Sequence, residues 1–252
     1  LEVMMCDDCG LAQLSYVVSP EVLYRHDYPY ESSTTRTGQQ HWAEFARTVA
    51  TMMGLGPPDL VVDIGSNVGE LLKAFGTHGA RILGVDPANN IVLLAQKRGI
   101  ETLNDFFSLD VARRIVREKG QATVITATNV FAHVDDLDAF MQAVDFLLNE
   151  RGIFVLEAPY FANLIKKLEY DTIYHEHLSY LTVRPLIPFF KRFCMEIIDV
   201  QQRDIHGGSF RVFVARSGSR LPQSSVVEEL LQQEAAMAVH SRDTLGKFSA
   251  AI

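Results

Sequence analysis

Between residues 60 and 159 the chain alternates apolar runs with glycine-closed amphipathic segments, and this alternation constrains the fold more than any other feature. LVVDIG (60–65), RILGVDP (81–87), TVITA (123–127) and GIFVLEAP (152–159) read as strands. GELLKAFGTHG (69–79), NNIVLLAQKRG (89–99) and DDLDAFMQAVDFLLNERG (135–152) read as the helices between them, the last with Leu137, Phe140, Met141, Val144, Leu147 and Leu148 facing inward. Strands without polar alternation are buried on both faces, so helices must cover both sides of a parallel sheet. Right-handed crossovers make that sheet doubly wound. The expected fold is therefore α/β and Rossmann-like.

The flanks fit around this core. In HWAEFARTVATMMGL (41–55), Trp42, Phe45, Ala46, Val49, Met52 and Met53 share one helical face, and Gly54, Gly56, Pro57 and Pro58 stop the helix. Residues 28–40 read as a loop. After Pro159 a long aromatic loop leads to the apolar segment PLIPFFKRF (185–193). Two strands follow, MEIIDVQQ (195–202) and SFRVFVAR (209–216), which would give the mostly parallel sheet an antiparallel edge. SGSRLP (217–222) reads as a linker, and 223–245 as one amphipathic helix opening a further unit.

Composition narrows the function classes. The chain of 252 residues is 48% hydrophobic, enough for a sizeable core. A net charge of −8 argues against a nucleic-acid partner, which needs basic surface to neutralise phosphates. No apolar run reaches the roughly 18 residues of a membrane span. The opening LEVMMCDDCG lacks the basic and apolar regions of a signal peptide, and three cysteines do not make a disulfide scaffold. The expected location is intracellular and cytoplasmic. A start at Leu1 and an end within a helical pattern suggest a chain truncated at both ends.

The strongest local motif is Val61-Val62-Asp63-Ile64-Gly65-Ser66-Asn67-Val68-Gly69, a strand running through a turn of small residues into a helix. On open α/β sheets, ligands bind outside the carboxyl ends of the strands, where this turn lies. Gly65 permits the tight turn, Gly69 permits close approach, and Asn67 tolerates left-handed backbone. Asp86 ends the next strand and suits the two hydroxyls of a ribose. An acidic Asp63 just before the first glycine and an incomplete glycine pattern weigh against a dinucleotide, and Asn67 and Glu70 add bulk and charge where a diphosphate would need free backbone N–H groups. A sulfonium with an amino-acid tail tolerates them, so the expected cofactor is S-adenosylmethionine rather than NAD. Asn104 and Phe106 are placed to flank the adenine.

Further chemistry sits at the same end of the sheet. Tyr174-His175-Glu176-His177 is not the His-Glu-x-x-His pattern of a zinc protease, and its histidines are two residues apart; proton transfer suits it better. Asn129 to His133 follow the fourth strand, and His133 is set to reach a reacting oxygen; capping a helix is its ordinary alternative. His206-Gly207-Gly208-Ser209-Phe210-Arg211 is either a simple turn or a polar, phosphate-contacting one. Tyr28, Pro29, Tyr30, Ser32 and Ser33 form an aromatic and polar loop suited to fold over a pocket.

Taken together in this order, Cys6 to Gly10, Tyr28 to Tyr30, the Asp63 to Asn67 turn, Asn129 to His133, Glu157-Ala158-Pro159-Tyr160, Tyr174 to His177 and His206 to Arg211 resemble the nucleotide-sugar C-methyltransferases of deoxysugar biosynthesis. The resemblance implies a zinc-binding module (here a remnant, 1–20), an S-adenosylmethionine-dependent methyltransferase domain (21–216) and the helical start of a C-terminal domain (217–252). It implies a structural zinc in the full-length protein, of which Cys6 and Cys9 supply a half-site. It also implies a dTDP-linked 4-keto deoxysugar substrate whose proton beside the ketone is removed before the carbon takes the methyl group. By the same resemblance His177 is the base, Tyr174 and Glu176 position it and the sugar, His133 stabilises the oxyanion and Tyr30 closes over the sugar. Asp63, Gly65, Asn67, Gly69, Asp86, Asn104, Phe106 and Asn129 are the expected cofactor residues, and Tyr160, His206, Gly207 and Arg211 the expected substrate residues. Full activity is expected to need the rest of the C-terminal domain. Three other readings stay open on the residues alone: an O- or N-methyltransferase of a small molecule, an NAD-dependent oxidoreductase and a non-catalytic cofactor-binding protein.

Overall fold

The computed structural model describes residues 1–32, 35–205 and 207–252; Ser33 and His206 lie outside the described residues. It contains two compact units. A central unit comprises Ser19–Thr128 and Asp138–Phe154, and a composite unit comprises Leu1–Val18, Asn129–Leu137 and Val155–Ile252. The break at residues 18–19 lies close to the boundary expected at 20, and the units show no break near 216.

The chain opens with a hairpin of β1 (Val3–Met5) and β2 (Ala12–Leu14), paired Val3 to Leu14. A short helix α1 (Pro20–Tyr24) precedes α2 (Arg36–Met53). Helix α2 starts earlier than its apolar face suggests, because the Thr35 hydroxyl accepts from the Gly38 N–H at 3.2 Å and caps it. It buries Phe45, Ala46, Val49 and Ala50 and ends at Gly54, whose φ of 60° is the left-handed cap that glycine adopts without strain.

The alternating segment follows: β3 (Leu60–Ile64), α3 (Glu70–Gly76), β4 (Arg81–Val85), α4 (Asn89–Lys97), β5 (Thr102–Leu103), α5 (Leu109–Lys119), β6 (Ala122–Thr128), α6 (Leu137–Leu147) and β7 (Leu148–Pro159). In the central unit the strand order β5-β4-β3-β6 is parallel throughout, with Val61 beside Ile82 and Val124 and Gly84 beside Thr102. Every residue of β3 is buried, as its run without polar alternation requires, Asp63 included. Helix α5 has no counterpart in the sequence expectation. Its signals are the Ser108 cap on the Val111 N–H and the buried spacing of Val111, Ala112 and Ile115. Helix α6 ends at Leu147, so Leu148 belongs to β7 instead of the helix face assigned to it.

Within the composite unit come α7 (Phe161–Lys167), β8 (Ser179–Tyr180), α8 (Val183–Lys191), β9 (Met195–Arg203), β10 (Ser209–Arg216), α9 (Val226–Ala236) and α10 (Arg242–Ala251). Strands β9 and β10 are antiparallel, with a bulge between Phe213 and Val214, and β10 is ordered next to β7. A second small sheet runs β1-β2-β8, pairing Ala12 with Tyr180. The stretch 1–18 is thus part of a unit with later chain. The helix expected over 223–245 is two helices. Ala238 turns left-handed at φ 48°, and Ser241 starts α10 by accepting from the Thr244 N–H at 3.1 Å.

Candidate functional site

In the central unit, β3 leaves the sheet through a turn in which Gly65, Asn67 and Gly69 have φ of 65°, 49° and 82°. Three left-handed residues in five explain the glycines and the asparagine, since other side chains resist this region. At Gly69 an added Cβ would also lie 2.8 Å from Ile100. Asp86, just past β4, takes the Asn67 N–H on one carboxylate oxygen and the Ala88 N–H on the other, both at 2.9 Å. Each oxygen keeps a further lone-pair direction, so the carboxylate retains capacity for hydroxyl donors. Burial raises its pKa and the two N–H bonds oppose that rise. The Asn104 amide donates to the carbonyls of Asp86 and Pro87 at 3.1 and 3.0 Å, leaving its oxygen as an acceptor. Phe106 is half-buried under the Arg25 guanidinium, 4.7 Å from the ring centre.

A strap from residue 25 to 32 is tied to this turn by side-chain amides. Asn67 accepts from the Ser32 N–H at 2.8 Å and donates to the Tyr30 carbonyl at 3.0 Å. Asn90 makes the same two-way clasp on Tyr28, accepting from its N–H and donating to its carbonyl. The Tyr28 ring packs on Val68, Ala88 and Ile91, and Arg98 pairs with both Glu31 and Glu70. Tyr30 itself is half exposed.

The composite unit assembles the histidines. His177 Nδ1 lies 2.7 Å from the Thr172 carbonyl. A carbonyl only accepts, so Nδ1 carries the proton and Nε2 of the neutral ring has its lone pair free to accept. The Tyr174 hydroxyl donates to that Nε2 at 3.2 Å. Burial lowers the pKa of His177, which keeps the ring neutral at pH 7, although its bond to Thr172 pulls the other way. The His133 ring centre lies 5.1 Å away, and burial with the neighbouring His177 pushes its pKa down to about 3. Glu176 is half-buried, and burial raises its carboxyl. Ala132, Pro159, Phe161, Leu164, Thr172, His177, Ser179 and Tyr180 line a small pocket.

Several expected site residues have other work here. Asp63 is only 2% exposed and accepts from the Thr126 hydroxyl at 2.6 Å, with its pKa raised by burial to about 7. It ties β3 to β6 beneath the turn. Arg211 is fully buried against the equally buried Glu157, at 2.8 Å, so the phosphate contact expected of it is closed off by a paired carboxylate. Tyr160 is 3% exposed and donates to Glu234 at 2.8 Å. That carboxylate also accepts from the Val183 and Arg184 N–H groups at 2.7 and 3.0 Å, so α9 caps the start of α8. Gly207 and Gly208 approach protein: added Cβ atoms would meet Glu169 at 2.3 Å and Asn163 at 2.4 Å, and Lys167 holds the Gly207 carbonyl. Asn129 is left-handed at φ 54° with its N–H on the Glu157 carbonyl at 2.7 Å. Glu234, Asn90 and Tyr180 went unnoticed in the sequence.

Cys6 and Cys9 face each other across the β1–β2 turn, and the Cys6 thiol is pulled down by the backbone N–H groups of Cys9 and Asp8. Two thiols do not complete a tetrahedral zinc site. Among the described residues no cluster of three or more His, Cys, Asp or Glu side chains is arranged to hold a metal ion.

Residues 37–198 match the family model described as a methyltransferase domain. The chain belongs to that methyltransferase family. Residues 204–252 further match a model described as a C-methyltransferase C-terminal domain. Among curated proteins, the C-methyltransferase NovU of Streptomyces niveus is 35% identical over 239 residues, covering 95% of this methyltransferase chain and 57% of NovU. The chain thus spans little more than half of that relative. A ubiquinone biosynthesis O-methyltransferase of Azorhizobium caulinodans is 26% identical over 118 residues, 46% of this chain and 45% of its own. Among solved structures, magnesium protoporphyrin IX methyltransferase from Synechocystis with bound SAH aligns at a TM-score of 0.55 and 16% identity, covering 75% of this chain and 90% of that one. A putative sarcosine dimethylglycine methyltransferase from Galdieria sulphuraria reaches 0.58 at 13% identity, over 73% and 88%. These structural matches establish the Rossmann-like methyltransferase fold. No helix among the described residues is long and apolar enough to cross a membrane.

Proposed function

We propose that this methyltransferase transfers a methyl group from S-adenosylmethionine to carbon, beside the ketone of a dTDP-linked 4-keto deoxysugar. The observation that carries the reading is the fixed tautomer of His177, a neutral imidazole whose Nε2 is held ready to take a proton. Methylating oxygen or nitrogen needs little base strength, whereas a carbon nucleophile needs a proton removed first. The resemblance of the chain to NovU supports carbon as the acceptor.

In the central unit the donor set suits the cofactor. Asp86 would take the ribose hydroxyls, the Asn104 oxygen would accept from the adenine amine, and Phe106 offers an aromatic face. When bound, S-adenosylmethionine supplies an electrophilic methyl group on sulfur. In the composite unit His177 Nε2 takes the proton beside the ketone, and Thr172 holds the ring in orientation as it becomes charged. Tyr174 gives up its bond to Nε2 as the substrate C–H arrives, and His133 faces the growing charge on the ketone oxygen. Glu176 contacts the sugar.

The test follows the methyl group by NMR, using S-adenosylmethionine labelled with carbon-13 in its methyl and a dTDP-4-keto-6-deoxy sugar. The label should appear bonded to carbon. His177→Ala should lose about 10²–10⁴-fold in rate, while S-adenosylhomocysteine binding measured by calorimetry is unchanged. A methoxy signal, or binding of NAD but not S-adenosylhomocysteine, would sink the reading.

A further inference from the structure

The pocket beside His177 contains a phenol that the proposed mechanism does not use. Tyr180 lines it, is 6% exposed, and its buried hydroxyl has no hydrogen-bond partner among the described residues. Leaving a buried hydroxyl unpaired costs about 1–3 kcal/mol relative to a satisfied one. Phenylalanine would fill the same space without that cost, so packing alone does not explain the oxygen.

The ring is also held firmly. Tyr180 sits in β8, paired to Ala12 of β2, and its ring packs against Phe161 with centres 5.6 Å apart. A donor on a rigid strand needs no reorganisation when charge develops in front of it, which is the condition under which a hydrogen bond contributes most to a transition state. Burial and the nearby Tyr174 both push the Tyr180 hydroxyl above the ordinary phenol range, so it stays protonated and acts as a donor.

We infer that Tyr180 is a further catalytic residue, whose hydroxyl donates to the acceptor's ketone oxygen as that oxygen becomes an enolate. The inference rests on the proposed carbon methylation. As His177 takes the proton, the C–H electron pair moves onto the ketone oxygen, where the Tyr180 O–H meets it. That pair then returns to carbon to form the new carbon–carbon bond to the methyl group, while the methyl–sulfur bond breaks and its electron pair stays on sulfur, leaving a neutral thioether. Tyr180 keeps its own proton throughout and acts by hydrogen bonding alone.

The experiment separates proton removal from methyl transfer. The protein, saturated with S-adenosylhomocysteine, is mixed in D2O with dTDP-4-keto-6-deoxyglucose, and deuterium entering the carbon beside the ketone is followed by NMR. Methyl transfer from S-adenosylmethionine is measured alongside. Tyr180→Phe should slow both exchange and kcat by about 100-fold, the usual scale for one oxyanion donor, with KM little changed and a thermal midpoint equal to or above wild type. Exchange and kcat within threefold of wild type would overturn the inference while leaving the proposed function standing. So would a midpoint several degrees lower, which would mean the hydroxyl has a structural partner. A full-length wild type that neither exchanges nor transfers would overturn both.

Discussion

Replacing Glu234 with alanine should destabilise the protein severely, although the residue lies far along the chain from the family's catalytic motifs. Its carboxylate is 1% exposed and accepts three hydrogen bonds, from the Tyr160 hydroxyl and from the N–H groups of Val183 and Arg184. Alanine leaves two fully buried donors unpaired at about 1–3 kcal/mol each, adds a cavity, and frees the Arg184 N–H to find water. Relief from burying a charge offsets part of this, so the net loss should be about 3–5 kcal/mol. For a domain of this size that corresponds to a fall in Tm on the order of 10 °C. Glu234→Gln keeps an oxygen toward Tyr160 and Val183 but turns an amide N–H toward the Arg184 N–H, for a loss of about 1–2 kcal/mol. Tyr160→Phe should cost a similar amount. The assay is calorimetric unfolding of the three single variants and the Tyr160→Phe/Glu234→Ala double variant. Coupling of at least about 1 kcal/mol is expected between residues that share a buried bond. A Glu234→Ala protein melting within 2 °C of wild type, or no lower than Glu234→Gln (about the same Tm), would refute the idea that α9 caps α8 through this carboxylate.

Two further predictions concern the clasp and the pH response. Asn67→Gly, which keeps the left-handed backbone but removes the amide, should weaken S-adenosylhomocysteine binding about tenfold and speed hydrogen exchange from Tyr28 to Ser32; unchanged exchange would mean the Asn67 bonds do not hold the strap. His240 packs under Gly10 and lies 2.7 Å from the Thr182 hydroxyl and 4.0 Å from Glu234, and burial with the Arg184 charge lowers its pKa to about 4. Its folded pKa is below the unfolded 6.5, so the unfolded chain binds the proton more tightly. The stability involved is intact above pH 6.5 and declines as pH falls toward 4, by up to about 1.4 kcal/mol per pH unit. Denaturant unfolding across that window should show a shallower slope by this amount in His240→Gln, and equal slopes would refute the assignment.

The parallel core was legible because strands buried on both faces lack polar alternation, as Leu60 to Ile64 and Val124 to Ala127 do, where the polar Asp63 and Thr126 are buried against each other. The turn was legible because left-handed backbone restricts residue choice, which marks Gly65, Asn67 and Gly69. Burial in three dimensions was not legible. Asp63, Tyr160 and Arg211 have the chemistry of ligand contacts, yet Thr126, Glu234 and Glu157 engage them inside the protein. Neither Glu157 nor Glu234 could be assigned as a partner from spacing, since each meets a residue more than fifty positions away. Tyr180 escaped notice for the converse reason: what distinguishes it is a partner it lacks among the described residues, and a sequence does not display that.

The division of the chain has a consequence for synthesis on the ribosome. The central unit is complete once Phe154 has emerged, and its parallel strands pair over short crossovers. The composite unit begins at Leu1, yet β2 has only β1 as a neighbour until Ser179 and Tyr180 arrive, and Gly10 waits for His240. Contacts that distant in sequence form late, because the loop must close before they return any stability. The histidine cluster therefore matures late, after the central unit can already stand folded, and the β1–β2 hairpin stays without its third strand until β8 is made.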